Sequence, residues 1–139
     1  MIDIFCDSEI TRYAMRNELL SRHTTFKVGG PADWYIKPPC EGFASAAAAI
    51  ILFANKNNIP FFVLGGGANV VFSDAGFRGI VFDTTDYVQV SAAENKILFS
   101  SGIKSNDAAW EAQKLGLSGM EFLAGLPGTI GGAVRMNAR

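Results

Sequence analysis

The chain has few of the side chains that most often carry catalysis or hold a metal ion. Its 139 residues include one histidine and two cysteines. Cys6 and Cys40 form neither a CxxC pair nor a spacing typical of metal ligands, so we expect ordinary buried thiols in a reducing compartment. A single histidine gives little support for a Ser–His–Asp triad or a histidine metal site, and we expect His23 to be a surface or capping residue. The sequence therefore predicts no metal site.

The sequence also lacks an excess of charge of either sign and lacks a long apolar run. Lys and Arg number 12 and Asp and Glu number 13, for a formal net charge of −1. Nucleic-acid binders and anionic-membrane binders concentrate positive charge, so we expect neither kind of partner. The longest apolar run, Phe43 to Ala54, falls well short of the roughly 20 residues that a membrane-spanning helix needs. Residues 1–7 show no secretory signal, and we predict a soluble, cytoplasmic protein.

Enough apolar residues are present to build a folded core. Hydrophobic residues make up 49% and charged residues 18%, which excludes a disordered chain, and the length fits one domain. The patterns predict helices over residues 1–21, 43–55 and 105–115, strands over 24–28, 32–37, 61–64, 70–72 and 79–83, and a hairpin over 87–101. The continuous apolar run 61–64 is typical of a strand that is buried on both faces. This mixture without strict strand–helix alternation favours an α+β fold.

Glycine is plentiful and clustered, and the first cluster follows a predicted strand. The chain has 15 glycines, and three of them in succession begin the segment Gly65–Asn69. Successive N–H groups without Cβ atoms can converge on an anion, as they do in phosphate-binding loops. Val70 stands where the dinucleotide fingerprint has its third glycine, and no Gly-Lys-Ser/Thr occurs, so neither common phosphate-binding scheme applies. A tight structural turn and a phosphate site explain this spacing equally well.

A second cluster, Gly125–Ala133, leaves little side-chain bulk on one side of the chain. Pro127 stiffens the bend, and Thr129 supplies a hydroxyl that could donate to a phosphate oxygen. A glycine-lined packing surface would also explain this segment. Two glycine-rich loops in one small domain instead favour a long, flat, anionic cofactor held between them.

The acidic and aromatic side chains indicate no catalytic set. The carboxylates are scattered along the chain, and no two stand in a context typical of a paired acid and base. We expect Trp34 and Trp110 in the core, and we expect Arg135 and Arg139 to be solvated beside the suspected pocket. From the residues alone, the chain is interpreted as a binder of a phosphate-bearing cofactor that has no complete catalytic set.

Three motifs, found in order, resemble one enzyme family. They are residues 24–32 (TTFKVGGPA), 64–69 (LGGGAN) and 119–133 (GMEFLAGLPGTIGGA), the last followed by Met-Asn-Ala at 136–138. Over residues 20–139 the chain is similar to the N-terminal part of the UDP-N-acetylenolpyruvoylglucosamine reductase family, also called the UDP-N-acetylmuramate dehydrogenase family. Three ordered motifs at matching spacing are far more specific than any one glycine loop.

The resemblance implies a two-lobed, α+β FAD-binding domain of the vanillyl-alcohol-oxidase type, with the cofactor between the lobes. It divides the chain into an N-terminal helical segment (1–21), a first lobe (22–86) and an incomplete, truncated second lobe (87–139). The family's pyrophosphate loop matches Gly65–Asn69, and its flavin-lining segment matches Gly125–Ala133. The cofactor-binding residues that it implies are Gly65, Gly66, Gly67, Ala68, Asn69, Gly125, Pro127, Gly128, Thr129, Gly131, Gly132, Ala133 and Asn137.

The resemblance also implies a reaction. In the family, NADPH reduces the flavin, which then reduces UDP-N-acetylglucosamine-enolpyruvate to UDP-N-acetylmuramate, a peptidoglycan precursor. The family's catalytic arginine, serine and glutamate lie beyond the part that this chain matches, so we assign no catalytic residue and expect no turnover by this chain alone. Ala68 replaces the family's usual serine in the pyrophosphate loop, which removes one hydroxyl donor.

Two other interpretations keep the site and change the function. One is a non-enzymatic flavin- or nucleotide-binding module that pairs with another chain or with a second copy, because a shortened second lobe would leave an open sheet edge. The other is a different FAD-dependent oxidoreductase, such as a hydroxyacid dehydrogenase. The motifs at 28–32 and 126–132 favour the reductase.

Overall fold

A four-stranded mixed sheet organises the first half of the chain in the computed structural model, which describes residues 10–138. Its strands are β1 (Ala14–Leu19), β2 (Pro31–Ile36), β3 (Phe61–Leu64) and β4 (Phe77–Asp83), in the spatial order β1-β2-β4-β3. β1 pairs with β2 antiparallel, whereas β2 and β3 each pair with β4 in parallel. The carboxyl ends of β3 and β4 therefore lie side by side, where Leu64 pairs with Asp83.

The predicted strands at 32–37, 61–64 and 79–83 are confirmed, but β3 is not buried on both faces. It is an edge strand of the sheet, and the side chain of Val63 is 56% exposed. A continuous apolar run cannot distinguish an edge strand from a central one, because pairing decides the position in the sheet. The fully buried run is in β4, where residues 79–83 are all buried.

The alanine-rich helix α1 (Phe43–Lys56) covers one face of the sheet and confirms the helix predicted over 43–55. Its buried residues Ala46, Ile50 and Ala54 recur at four-residue spacing and form one stripe along the helix. Ile50 and Ala54 pack in the same core as Ile80 of β4. Short alanine side chains leave room for this close approach of the helix to the sheet.

Loops rather than a helix cover the opposite face of the sheet. Val81 of β4 packs there with Phe72, which is buried although residues 70–72 form no strand. The prediction of a strand over 70–72 is therefore wrong. The backbone beside Phe72 forms a hydrogen bond with another loop rather than with a strand, because the Gly30 N–H donates to the Ser73 carbonyl oxygen at 2.9 Å.

The predicted helix over residues 1–21 is wrong where the structure describes it. Residues 14–19 form β1, between two short 3₁₀ segments at Ile10–Tyr13 and Leu20–Arg22. Residues 1–9, which include Cys6, lie outside the described residues. Met15, Leu19 and Leu20 stand at helical spacing, but pairing with β2 overrides it because tertiary context outweighs a weak local pattern.

The predicted strand over 24–28 is also wrong, because local hydrogen bonds hold these residues in a turn. Thr24 Oγ1 donates to the Val28 carbonyl oxygen at 3.2 Å, and Lys27 adopts a φ of 57°. A side chain that bonds to its local backbone competes with a strand ladder.

A hairpin and short helices form the second part of the chain. They are β5 (Val90–Ala93), β6 (Lys96–Phe99), α2 (Ser105–Lys114) and α3 (Ile130–Arg135), with a 3₁₀ segment at Glu121–Leu123. The predicted hairpin and the helix predicted over 105–115 are confirmed. Gly116 ends α2 at a φ of 66°, as expected for a glycine just past a helix. Ile103, Ala108 and Leu123 form the core of this part.

Several isolated expectations are corrected by burial. Trp110 is 61% exposed rather than in the core, and Trp34 is half-buried beside Arg16, whose guanidinium lies 4.1 Å from the indole centroid. Cys40 is a free thiol but only half-buried. Within residues 10–138, no helix is long and apolar enough to cross a bilayer, and no group of three or more His, Cys, Asp and Glu side chains could hold a metal ion.

Candidate functional site

Both glycine-rich loops line the same cleft. The first loop, Gly65–Asn69, leaves the end of β3, and the second, residues 125–133, leads into α3. The cleft has a volume of about 440 Å³. The predicted site residues that line it are Gly65, Gly66, Gly67, Ala68, Asn69, Pro127, Gly128, Thr129, Gly132 and Ala133.

The two loops touch each other through bare backbone. A Cβ atom on Gly66 would lie 2.8 Å from the Cα atom of Gly128, and one on Gly65 would lie 2.6 Å from the Thr129 hydroxyl oxygen. Alanine at either position would therefore push the loops apart. Packing between the loops requires glycine at positions 65 and 66. A structural role, which the sequence left open beside phosphate binding, therefore explains part of this glycine cluster.

Gly67 is required by its backbone conformation and by the segment beneath it. Its φ is 65°, and a Cβ atom there would overlap the His23 carbonyl oxygen. The Gly67 carbonyl oxygen accepts a hydrogen bond from the Thr25 N–H at 3.0 Å. The first loop thus rests on residues 23–25, which follow β1.

The amide groups of the first loop are available to an anion. Within the described part of the chain, the N–H groups of Gly65–Asn69 donate no hydrogen bond. Backbone donors in a partly buried loop cost free energy when they lack an acceptor, and successive N–H groups in a glycine-rich turn are a common anion site. The loop therefore fits a phosphate or diphosphate group.

Gly132 presents an open face to the cleft. A Cβ atom there would meet nothing nearer than the Thr129 hydroxyl oxygen, at 3.6 Å. Neither crowding nor backbone conformation requires glycine at this helical position, where alanine would be the better helix former. Because Gly132 lines the cleft, an added methyl group would take up cleft space. That is the pattern expected of a glycine that leaves room for a ligand.

Thr129 holds the second loop rather than presenting a free hydroxyl. Its side chain is buried, and its Oγ1 accepts a hydrogen bond from the Gly132 N–H at 3.4 Å as the N-cap of α3. Next to it, the Ile130 N–H donates to the Ile103 carbonyl oxygen at 2.8 Å. These bonds fix the loop against the strand-like segment that precedes α2.

Three predicted site residues, Gly125, Gly131 and Asn137, lie outside the cleft lining. The Gly125 N–H donates to Asn106 Oδ1 at 2.5 Å, and the residue turns the chain at a φ of 83°. Gly131 packs on Ser101, because a Cβ atom there would lie 2.8 Å from the Ser101 Cβ atom. Asn137 is exposed beyond α3, at a φ of 49°. Gly125 and Gly131 shape the loop from behind.

The cleft also contains residues that the motifs do not identify. Its apolar lining includes Phe62, Val70, Leu126 and Met136. Arg135, expected to be solvated beside the pocket, is exposed and is the only charged residue in the described lining. Its guanidinium makes no hydrogen bond or ion pair with another residue of 10–138. Arg135 lies three residues after Gly132 on the same helix, and this spacing could have predicted that it faces the cleft. Arg139 lies outside the described residues.

The cleft can bind a ligand but carries no acid–base pair of its own. Its described lining has no Asp, Glu, His or Cys. Asp83 is buried nearby, but its carboxylate already accepts hydrogen bonds from the Tyr35 hydroxyl and from the Thr85 N–H, the latter at 2.7 Å. The described lining therefore offers no carboxylate, imidazole or thiol for acid–base chemistry, and what it can do is position a bound group.

The Tyr35 phenol, near the site, has a raised pKa. Burial raises the pKa of the Tyr35 phenol well above its ordinary value, and the hydrogen bond to Asp83 and the charge of Asp83 add to the effect. The phenol therefore stays protonated and acts as a hydrogen-bond donor.

A family model described as an FAD binding domain matches residues 44–139, and the chain belongs to this FAD binding domain family. The match includes both loops and the whole cleft. It also agrees with the mixed α and β content of the structure. FAD is thus the cofactor that the family and the cleft both indicate.

Curated relatives carry a more specific name, UDP-N-acetylenolpyruvoylglucosamine reductase. The protein from Clostridium novyi (strain NT) is 42% identical over 88% of this chain and 39% of its own length. That from Oceanobacillus iheyensis is 43% identical over 89% of this chain and 39% of its own length. That from Clostridium botulinum (strain Alaska E43 / Type E3) is 37% identical over 98% of this chain and 42% of its own length. The resemblance read from the motifs is confirmed, and the chain spans about two fifths of the length of these relatives.

Replacing Tyr35 with Phe should change how stability responds to alkaline pH. The pKa of Tyr35 is raised in the folded protein, so the unfolded chain loses the phenolic proton first, near pH 10.0. The raised pKa therefore contributes to the free energy of unfolding below that pH, and this contribution is lost as the pH rises above it. Tyr35→Phe lacks this contribution, so its unfolding free energy should fall less steeply across that range. Urea denaturation below and above pH 10 measures the difference, and parallel pH curves for the two proteins would contradict it.

Proposed function

We propose that this chain is the FAD-binding portion of a flavin-dependent reductase. One observation carries the proposal: the unpaired amide groups of Gly65–Asn69 and the bare face of Gly132 line one cleft. The first feature suits a diphosphate, and the second suits a flat ring that needs space. The family match and the names of the relatives support this reading.

We infer that FAD lies between two α+β lobes, as in the vanillyl-alcohol-oxidase type. The first lobe, residues 22–86, holds most of the four-stranded sheet, to which β1 of the segment 1–21 adds an edge strand. The second lobe, residues 87–139, holds the hairpin and α2. The two loops of the cleft belong to different lobes, which supports this division. The second lobe is incomplete in this proposal, because its sheet has only two strands.

Different residues of the cleft would bind different parts of the cofactor. The amide groups of Gly65–Asn69 would bind the diphosphate, while Pro127, Gly128, Gly132 and Ala133 would line the flavin. The apolar side chains around them would exclude water. When bound, FAD supplies hydride transfer, and this chain orients it. Gly125 and Gly131 would contribute through the shape of the second loop rather than by contact.

The reaction that we propose for the complete enzyme is the one its relatives' name indicates. UDP-N-acetylglucosamine-enolpyruvate is reduced to UDP-N-acetylmuramate for peptidoglycan, with NADPH as the electron donor. No side chain of the described cleft lining can donate or accept the proton of such a step. We therefore expect binding without turnover from this chain alone. A cytoplasmic location suits the free thiol of Cys40.

A binding module that pairs with another chain, or with a second copy, is the alternative that a specific observation favours. The hairpin of β5 and β6 forms a sheet by itself, and Leu98 and Val90 on it are 73% and 45% exposed. An isolated two-stranded sheet is marginally stable in water. A second chain that covers the hairpin in solution would favour the binding module over the reductase portion.

FAD titration of the purified protein tests the proposed function. We expect saturable quenching of flavin fluorescence at one site per chain, competed by ADP because ADP carries the same diphosphate. The same preparation should oxidise no NADPH in the presence of the enolpyruvyl substrate. Failure to bind FAD even after unfolding and reconstitution would refute the binding role, and steady-state turnover would refute the absence of chemistry.

Replacing Gly132 with Ala should separate ligand binding from stability. The added methyl group enters the cleft, and overpacking of this kind costs roughly 1–3 kcal/mol, so FAD should bind about tenfold or more weakly. The helix should become more stable by up to about 1 kcal/mol, since alanine is a better helix former than glycine. Calorimetric titration and thermal unfolding measure the two effects. Val134→Ala, at a 76% exposed position of the same helix, is the control and should change FAD affinity little.

Replacing Arg135 with Gln should weaken FAD binding in a salt-dependent way. Arg135 is the only charged residue in the described lining, so it supplies the counter-charge to an anionic ligand. We expect about a two- to fivefold loss at low salt that fades as the salt approaches about 1 M. Arg78→Gln is the matched control, because Arg78 pairs with Asp33 at 2.8 Å and does not line the cleft. Equal salt dependence in all three proteins would exclude a role for Arg135.

A further inference from the structure

A chain of polar side chains runs through the core beneath the first glycine loop. Tyr35 on β2 is fully buried, and its hydroxyl donates to Oδ2 of Asp83 at the end of β4. The His23 ring stacks on the Tyr35 ring, with centroids 4.1 Å apart, and His23 Nδ1 lies 2.9 Å from the phenolic oxygen. His23 Nε2 lies 2.9 Å from Oε1 of Glu18 on β1. Hydrogen bonds thus connect β1, the segment after it, β2 and β4.

The single hydroxyl hydrogen of Tyr35 orders the two hydrogen bonds at its phenolic oxygen. Asp83 accepts that hydrogen, so the phenolic oxygen is left to accept from His23 Nδ1. The other ring nitrogen, Nε2, lies 2.9 Å from a carboxylate oxygen of Glu18. Among the described residues, no buried side-chain nitrogen or oxygen lacks a partner.

Residues next to His23 and Asp83 in sequence hold the first glycine loop and the end of β3 from which it leaves. Two residues after His23, the Thr25 N–H donates to the Gly67 carbonyl oxygen at 3.0 Å. Directly after β4, Thr84 donates to the Leu64 carbonyl oxygen from its N–H at 2.9 Å and from its hydroxyl at 3.2 Å. The middle of the loop is therefore held by the segment after His23, and the end of β3 is held by the residue after Asp83.

We propose that Tyr35 and His23 are positioning residues for the diphosphate of FAD. They fix residues 23–25 relative to the end of β4, and so they hold the amide groups of Gly65–Asn69 in the arrangement that receives an anion. Neither side chain lines the cleft, so neither touches the ligand. The inference rests on the proposed function for the identity of the ligand, but not for the effect on the loop.

Stability alone does not explain a polar chain at this place. Apolar side chains of similar volume often stabilise a core at least as well, because buried charged groups lose their hydration. Hydrogen bonds with fixed lengths and directions specify one arrangement of the segments that they join. Here the segments that they join are the two supports of the glycine loop.

Tyr35→Phe tests the proposal, because it keeps the ring and removes the hydroxyl that links His23 to Asp83. We expect FAD and ADP to bind more weakly by the same factor, about three- to tenfold, since both carry the diphosphate. In the ligand-free protein, the amides of residues 64–69 should exchange with deuterium faster. Ile50→Val, in the core on the other face of the sheet, is the matched control for a general loss of stability and should show neither change.

His23→Phe is the second variant, because it keeps the stacked ring, removes both nitrogens and changes a less buried site. It should reproduce the pattern of Tyr35→Phe. If both variants bind FAD and ADP like the wild type and their loop amides exchange no faster than in Ile50→Val, the positioning role is wrong. If the wild type binds neither ligand, the proposed function fails, and the exchange of the loop amides still decides whether these side chains position the loop.

Discussion

The close approach of the two glycine-rich loops is the contact on which the cleft depends. Gly66 meets Gly128, and Gly65 meets Thr129, at distances that leave no room for a Cβ atom. Backbone-to-backbone contact brings the loops near enough to share a ligand. Glycine here serves two purposes, packing at Gly65 and Gly66 and open space at Gly132.

Hydrogen bonds from the first part of the chain support this contact. The Thr25 N–H holds the first loop, Thr84 holds Leu64 at the end of β3 from which the loop leaves, and the buried polar chain through Tyr35 connects their segments. The second loop is held separately, by the Thr129 cap and by the bond from Ile130 to Ile103. Each loop is thus fixed by its own part of the fold before a ligand arrives, which lowers the entropic cost of binding.

The described lining of the cleft suits binding rather than acid–base chemistry. The described lining of the cleft is apolar apart from amide groups, Asn69, Thr129 and Arg135, and it holds no general acid or base. Such a lining can orient a flavin and shield it from water, while the flavin brings the redox chemistry. Membership in the FAD binding domain family and the similarity to reductases more than twice as long agree with a cofactor-binding cleft.

Local patterns predicted the elements whose stability is mostly local. The alanine-rich helix α1, the hairpin and the glycine stop of α2 appear where composition and turn chemistry place them. The order of the motifs was enough to indicate the family and the two loops of the site. Predictions were wrong where pairing partners decide: Ala14–Leu19 has helical spacing but forms a strand because β2 lies beside it.

The sequence by itself determined that two glycine-rich, side-chain-poor loops exist and that a phosphate-bearing cofactor suits them. Only the tertiary structure decided which glycines face the cleft and which face protein, since that depends on what lies opposite each Cα atom. It alone brought His23, Tyr35 and Asp83 together from three distant parts of the chain. Residue spacing does not predict such contacts, because they arise from how the strands pair rather than from any local pattern.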